Sequence, residues 1–102
     1  MSFIRFTTTK ILTLNQELAL KKMVESLITN VVGENRYHLM IHIEDNQVMY
    51  YQGKAEDCML IDCHVHIDNN EEKDIFVESI KKEVESITKI PITRQYLIIG
   101  ER

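Results

Sequence analysis

The strongest constraint in this sequence is a pattern used twice: an alternating run of β-forming residues, an amphipathic helix, then another alternating run, the second copy displaced by roughly 50 residues. Residues 2–9 alternate, with Ile4 and Phe6 on one face and Phe3 and Arg5 on the other, which predicts a strand. Thr13 and Gln16 form a capping-box pair ahead of Leu20, Met23, Val24, Leu27, Ile28 and Val31, which recur at helical steps until Gly33 supplies a C-cap. Residues 37–44 alternate again, with Leu39, Ile41 and Ile43 opposite His38, Met40, His42 and Glu44. A short additional strand is expected at residues 47–51, before a turn at Gly53. Residues 58–67 form the third main strand, with Met59, Ile61, Cys63, Val65 and Ile67 opposite Leu60, Asp62, His64 and His66. Asp68, Asn69 and Asn70 then provide turn and cap chemistry for a helix with an acidic first turn, where the helix dipole favours negative charge. That helix runs through Phe76, Ile80, Val84 and Ile87 and stops near Pro91, and residues 96–99 make the last strand.

Each strand thus has one strongly apolar face that the two helices must cover. The predicted fold is α+β: two β-α-β units in a two-layer sandwich, with a four-stranded mixed sheet, a short extra strand, and both helices on one face. The chain has 102 residues and no linker or low-complexity segment, so residues 1–102 are expected to form one domain. A chain of this size buries roughly 60–70% of the surface exposed when unfolded, enough for a core without metal or disulfides.

Charge and hydropathy narrow the function. Residues 1–54 carry six basic and five acidic groups and residues 55–102 carry six and eleven, for a net charge of −4. Neither half has the basic stripe that a phosphate backbone requires, so nucleic acid is not an expected partner. No apolar run is long enough to span a bilayer, and the first residues lack a basic region followed by an apolar one. A cytoplasmic protein is expected. Cys58 and Cys63 lie an odd number of residues apart, so on one strand they would point to opposite faces, unable to bridge, in keeping with a reducing compartment.

The face of the sheet away from the helices would carry Arg5, His38, Met40, His42, Asp62, His64, His66, Tyr96 and Ile98, a mixture of charged and apolar groups. Such a face suits contact with another subunit or presentation of ligands. His64 and His66, two apart on a strand, share a face as a metal pair would, with His42 on a neighbouring strand. No Cys or carboxylate completes a recognised ligand spacing, so no metal or cofactor is assigned, and these histidines read first as interface hydrogen-bonding groups. Neither cysteine has an activating signature, and no Ser-His-Asp or paired-carboxylate spacing occurs.

From Gly33 onward the chain resembles the tautomerase superfamily, in the branch of macrophage migration inhibitory factor and dopachrome tautomerase. The resemblance is carried by Ile41-His42-Ile43, Asp45, Gln47-Val48-Met49, Gly53, Glu56, Cys58, Leu60 and His64, then by Arg94-Gln95-Tyr96. It implies a homotrimer whose sheets surround a central channel, with helices outside and Arg5, His42, Asp62 and His64 facing the channel or subunit contacts. It also implies active sites between adjacent subunits.

In active members an N-terminal proline is the general base that moves a proton between the oxygen and carbon of an enol or keto acid. Ser2 holds that position here and would offer only a primary amine, with an ordinary pKa of roughly 7.7–8.0, and only if Met1 is removed. The lysine that follows the helix-ending glycine becomes Glu34, which should repel a carboxylate substrate. The isoleucine that offers a backbone N–H becomes His66, the last-strand asparagine becomes Ile98, and Tyr96 matches the pocket tyrosine. The chain ends at Arg102, without the C-terminal extension that longer members lay across a neighbour.

These substitutions predict a tautomerase-fold trimer without the proline-based chemistry, binding a small molecule or partner at a subunit interface. The alternatives are a weak or altered tautomerase (an isomerase) using the Ser2 amine with Tyr96 orienting the substrate, and a ferredoxin-like regulatory domain binding a metabolite at an oligomer interface.

Overall fold

The computed structural model describes residues 1–100; the expectation about the C-terminal end falls on Glu101 and Arg102, which lie outside the described residues. The elements follow as β1 (Ser2–Thr8), α1 (Leu14–Leu27), β2 (Leu39–Glu44), β3 (Met59–His64), α2 (Asn70–Thr88) and β4 (Gln95–Gly100). The sheet order is β2-β1-β3-β4, with β1 parallel to β2, antiparallel to β3, and β3 parallel to β4. This is the expected α+β architecture: a four-stranded mixed sheet with two helices on one face.

Period-two alternation sets the strands. Ser2, Ile4, Phe6 and Thr8 of β1 and Met59, Ile61 and Cys63 of β3 are buried, while the residues between them are half-buried on the other face. Leu20, Met23 and Val24 of α1 and Phe76, Ile80 and Val84 of α2 close over that buried face. Phe6 and Phe76, both fully buried, are the largest side chains of the resulting core.

The helix ends follow the sequence signals. Thr13 and Gln16 form the reciprocal capping box, and Asn69 accepts from the N–H groups of Glu71 and Glu72. After Leu27 the winding widens into a π-turn over Ile28–Val32, and Gly33 closes it with φ 77°, so the glycine caps the π-turn and not α1 itself. Helix α2 ends on Lys89 with φ 66°, two residues before Pro91.

Several boundaries differ from expectation. Residues 47–51 form no strand. Gln47 donates its backbone N–H to the Thr8 carbonyl at 2.9 Å, and Tyr51 bridges to Lys54 across Gln52 and Gly53, both at positive φ, the backbone of a tight hairpin turn. Strand β2 begins at Leu39, because Arg36–His38 forms a 3₁₀ turn capped by Asn35, which takes His38 off the sheet. Strand β3 starts after Cys58 and ends at His64, so the cysteines do not occupy opposite faces of one strand; both are buried and unpaired.

Candidate functional site

The register arranges the open face in three rows. Met40, Phe3 and His64 form the first, leading to Gly100; His42, Arg5, Asp62 and Ile98 form the second; Glu44, Thr7, Leu60 and Tyr96 form the third. A charged chain runs across it. Arg5 donates from its terminal nitrogen to Asp62 at 3.1 Å and lies 3.7 Å from Glu44, and His64 Nε2 meets the second Asp62 oxygen at 3.0 Å. Thr7 donates to Glu44 at 3.2 Å, and the Phe3 ring lies 5.9 Å from that of His64. Of the residues expected here, Arg5, Met40, His42, Asp62, His64, Tyr96 and Ile98 are present, whereas His38 and His66 are not.

The three histidines are not brought together. His42 is exposed on β2 and separated from β3 by Arg5 of β1, while His66 lies beyond the end of β3, with Nε2 2.5 Å from Asp68. Among the described residues no group of three or more His, Cys, Asp or Glu side chains is arranged to hold a metal ion.

Ser2 and Glu34, by contrast, are in direct contact. Gly33 turns the chain after the π-turn so that Glu34 meets the start of β1. Its Oε1 accepts from the Ser2 backbone N–H at 3.0 Å and its Oε2 from the Ser2 hydroxyl at 2.9 Å. Ser2 lies on the helix-covered face and is only 1% exposed.

Tyr96 and Ile98 project from the open face of β4, 56% and 44% exposed. Tyr96 pairs through Leu60 with Thr7, five residues along β1 from Ser2. Strand rise and strand spacing then put the Ser2 and Tyr96 backbones about 19 Å apart, with side chains on opposite faces. Within one chain Ser2 and Glu34 are therefore in contact at one place on the sheet, and Tyr96 and Ile98 lie elsewhere, on the other face.

Tyr96 borders an open hollow of about 310 Å³ lined also by Met49, Tyr50, Tyr51, Cys58, Met59 and Leu60. The Tyr51 ring lies 6.4 Å from that of Tyr96. Its wall is built by Arg94, a residue whose role is not legible from spacing. The side chain, in a residue only 8% exposed, donates to the carbonyls of Tyr51 and Glu56 at 2.8 Å, and more weakly to those of Asp57 at 3.3 Å and Lys54 at 3.4 Å. The guanidinium also lies 5.3 Å from the centre of the Tyr51 ring. The double tyrosine at 50 and 51 is the one sequence signal for this hollow. Cys63, on the covered side of β3, has its thiol pushed up to about 12 by burial and then by the Asp62 charge, which keeps it protonated at neutral pH.

No family model matches the sequence, and no curated protein sequence does. The solved structures do match. MIF2 from Leishmania major superposes with a TM-score of 0.90 at 14% identity, covering 100% of this chain and 89% of that one. Macrophage migration inhibitory factor from Toxoplasma gondii gives 0.86 at 17% identity, over 98% of this chain and 89% of that one. The homologue from Prochlorococcus marinus gives 0.86 at 14% identity, over 96% and 86%. At these identities the likeness is one of fold, and the fold of this chain is that of the macrophage migration inhibitory factor proteins.

Proposed function

We propose that this chain assembles as a homotrimer around a channel lined by its open sheet face, binds a small molecule or partner between subunits, and does not run proline-based keto–enol tautomerisation. The carrying observation is the split site: Ser2 with Glu34 and Tyr96 lie at opposite ends and on opposite faces of one sheet, with Ile98 midway along it on the face of Tyr96. A pocket containing both needs a second copy to bring the missing half. Met40, Tyr96 and Ile98 exposed on the open face, and the free edges of β2 and β4, supply the surface for that assembly.

The chemistry argues against the usual acidic substrates. Glu34 puts negative charge beside Ser2, and Ile98 offers no polar contact. Two free, buried cysteines support a reducing, cytoplasmic location. None of the helices is long and apolar enough among the described residues to cross a membrane.

Sedimentation equilibrium and an arylpyruvate tautomerisation assay test this reading together. The expected outcome is a mass three times the 12.0 kDa chain and no turnover above background. A dimer would instead favour the ferredoxin-like regulatory arrangement. Turnover that disappears when the Ser2 amine is blocked would establish the altered tautomerase.

A further inference from the structure

The open face of the sheet carries more acid than base, and one histidine is placed to correct that. Among the described residues of the four strands, Arg5 is the one permanent cation on this face, against the carboxylates of Glu44 and Asp62. With the histidines neutral, each chain therefore presents one surplus negative charge. The Asp62 side chain is only 14% exposed, and its two oxygens are divided between two neighbours. One takes the Arg5 guanidinium at 3.1 Å and the other meets His64 Nε2 at 3.0 Å. A neutral imidazole that donates from Nε2 leaves Nδ1 as a bare acceptor. Protonation turns Nδ1 into a second donor and adds the positive charge that the face lacks.

The groups around His64 leave that role to it. On β1 it lies opposite Phe3, whose ring is 5.9 Å away, and Arg5 is the only charged side chain of that strand. On β4 it lies opposite Gly100, and Tyr96 is the one titratable group there. On β2, beyond β1, His42 and Glu44 share the open face. His42 is exposed and has no polar partner among the described residues, so it sits apart from the Asp62 pair. The helices cover the opposite face.

We propose that protonation of His64 controls self-assembly through this face. Three copies brought together with neutral histidines would gather three surplus negative charges on facing surfaces, and like charges repel more strongly as water is excluded. With His64 charged, each chain cancels its own surplus and offers Nδ1–H to a neighbour. Assembly then takes up protons, so it strengthens as pH falls through the range where imidazoles ordinarily titrate and weakens as pH rises through it. This rests on the trimeric reading above and adds its regulation.

Sedimentation equilibrium at pH 6 and pH 8, at equal ionic strength, measures the monomer–trimer constant for the full chain and for its His64→Gln and His42→Gln variants. Glutamine keeps a donor for Asp62 but cannot take the charge. Uptake of about one proton per trimer changes the constant tenfold per pH unit, so the unsubstituted chain should assemble roughly a hundredfold more strongly at pH 6 than at pH 8. His64→Gln should stay within about threefold over the same range, and His42→Gln should keep the dependence. A dependence that survives in His64→Gln would belong to overall net charge and would overturn the proposal, as would a constant that is flat or falls at pH 6 in the unsubstituted chain. A chain that is monomeric or dimeric at both pH values refutes the trimer itself, an outcome distinct from a trimer indifferent to pH. Where dilution does not separate the trimer, exchange between labelled and unlabelled copies replaces it and should be slower at pH 6; equal rates refute the control. Should His64→Gln not fold, nitrogen NMR of the unsubstituted trimer at pH 6 decides. Both ring nitrogens of His64 should carry protons, and a bare Nδ1 would refute the proposal.

Discussion

Replacing Arg94 by Met removes the donor set that organises the loop between β2 and β3 while keeping a long apolar stem. Two of the four Arg94 bonds to loop carbonyls are short, at 2.8 Å to Tyr51 and Glu56, and those to Asp57 and Lys54 are long enough to count for little. Hydrogen bonds from a charged donor contribute about 1.5–3 kcal/mol each, so the short pair sets an upper bound near 3–6 kcal/mol. Part of that is offset, because a released loop can hydrate its carbonyls and the guanidinium no longer has to be desolvated. A loss of about 2–4 kcal/mol remains, which for a chain of this length lowers the thermal midpoint by roughly 10–20 °C. Arg94→Lys retains charge but not the fork, and should lose about 1–2 kcal/mol. Calorimetry at one fixed protein concentration measures these values, since oligomerisation would make the midpoint concentration-dependent. Amide exchange across residues 51–57 should accelerate in the Lys variant even where global unfolding is unaffected. An Arg94→Met protein within about 0.5 kcal/mol of the parent, with loop protection unchanged, would show that the loop is held by something other than this side chain.

Two further outcomes follow from single residues. Lys89 caps α2 at φ 66°, a left-handed conformation that glycine adopts without steric cost, so Lys89→Gly should stabilise by about 0.5–1 kcal/mol despite losing the exposed contact to the Ser86 carbonyl; a lower midpoint would refute that cost assignment. The Cys63 thiol, held near 12, has roughly a thousandfold less thiolate than an unperturbed cysteine at pH 8, so alkylation should track unfolding, and rapid stoichiometric labelling of folded protein at Cys63 would contradict its burial.

The sheet and helices were legible because their signals are local and repeated. Ile4 and Phe6 alternate with Phe3 and Arg5, and Leu20, Met23 and Val24 recur at helical steps, so period alone fixes which face is buried. The errors fall where tertiary contacts override local preference. Val48, Met49 and Tyr50 have strand-forming side chains but no neighbouring strand among the described residues, and the loop's carbonyls are instead gathered by Arg94, about 40 residues away. His66 continues the alternation of β3 past His64, yet after His64 the chain leaves the ladder. Alternation reports which side a residue would face, not whether a partner strand is present. The Ser2–Glu34 contact spans 32 positions and has no periodic signature. Glu34 stood out only as a charge reversed relative to the resembling family, and its actual partner required the fold.

The charge pattern of the open face bears on how it can be covered. A bare ion buried at an interface is strongly destabilising, whereas a paired one can be enclosed at much lower cost. Arg5 sits between Glu44 and Asp62, and Asp62 also holds His64, so the central charges of this face already have partners within the chain. The closest polar deficit is Arg5 Nε, whose 3.7 Å approach to Glu44 is too long for a hydrogen bond and which is buried without another acceptor. Around this chain lie Met40, Tyr96 and Ile98, exposed and apolar. Arg5 balances only one of the two carboxylates it meets, Glu44 and Asp62, so covering the exposed apolar groups around them also means covering the remaining negative charge. The alternating charges of the face also give each copy a register to match. In the proposed trimer, a neighbouring copy would therefore have to bring hydrogen-bond donors as well as apolar cover to this face.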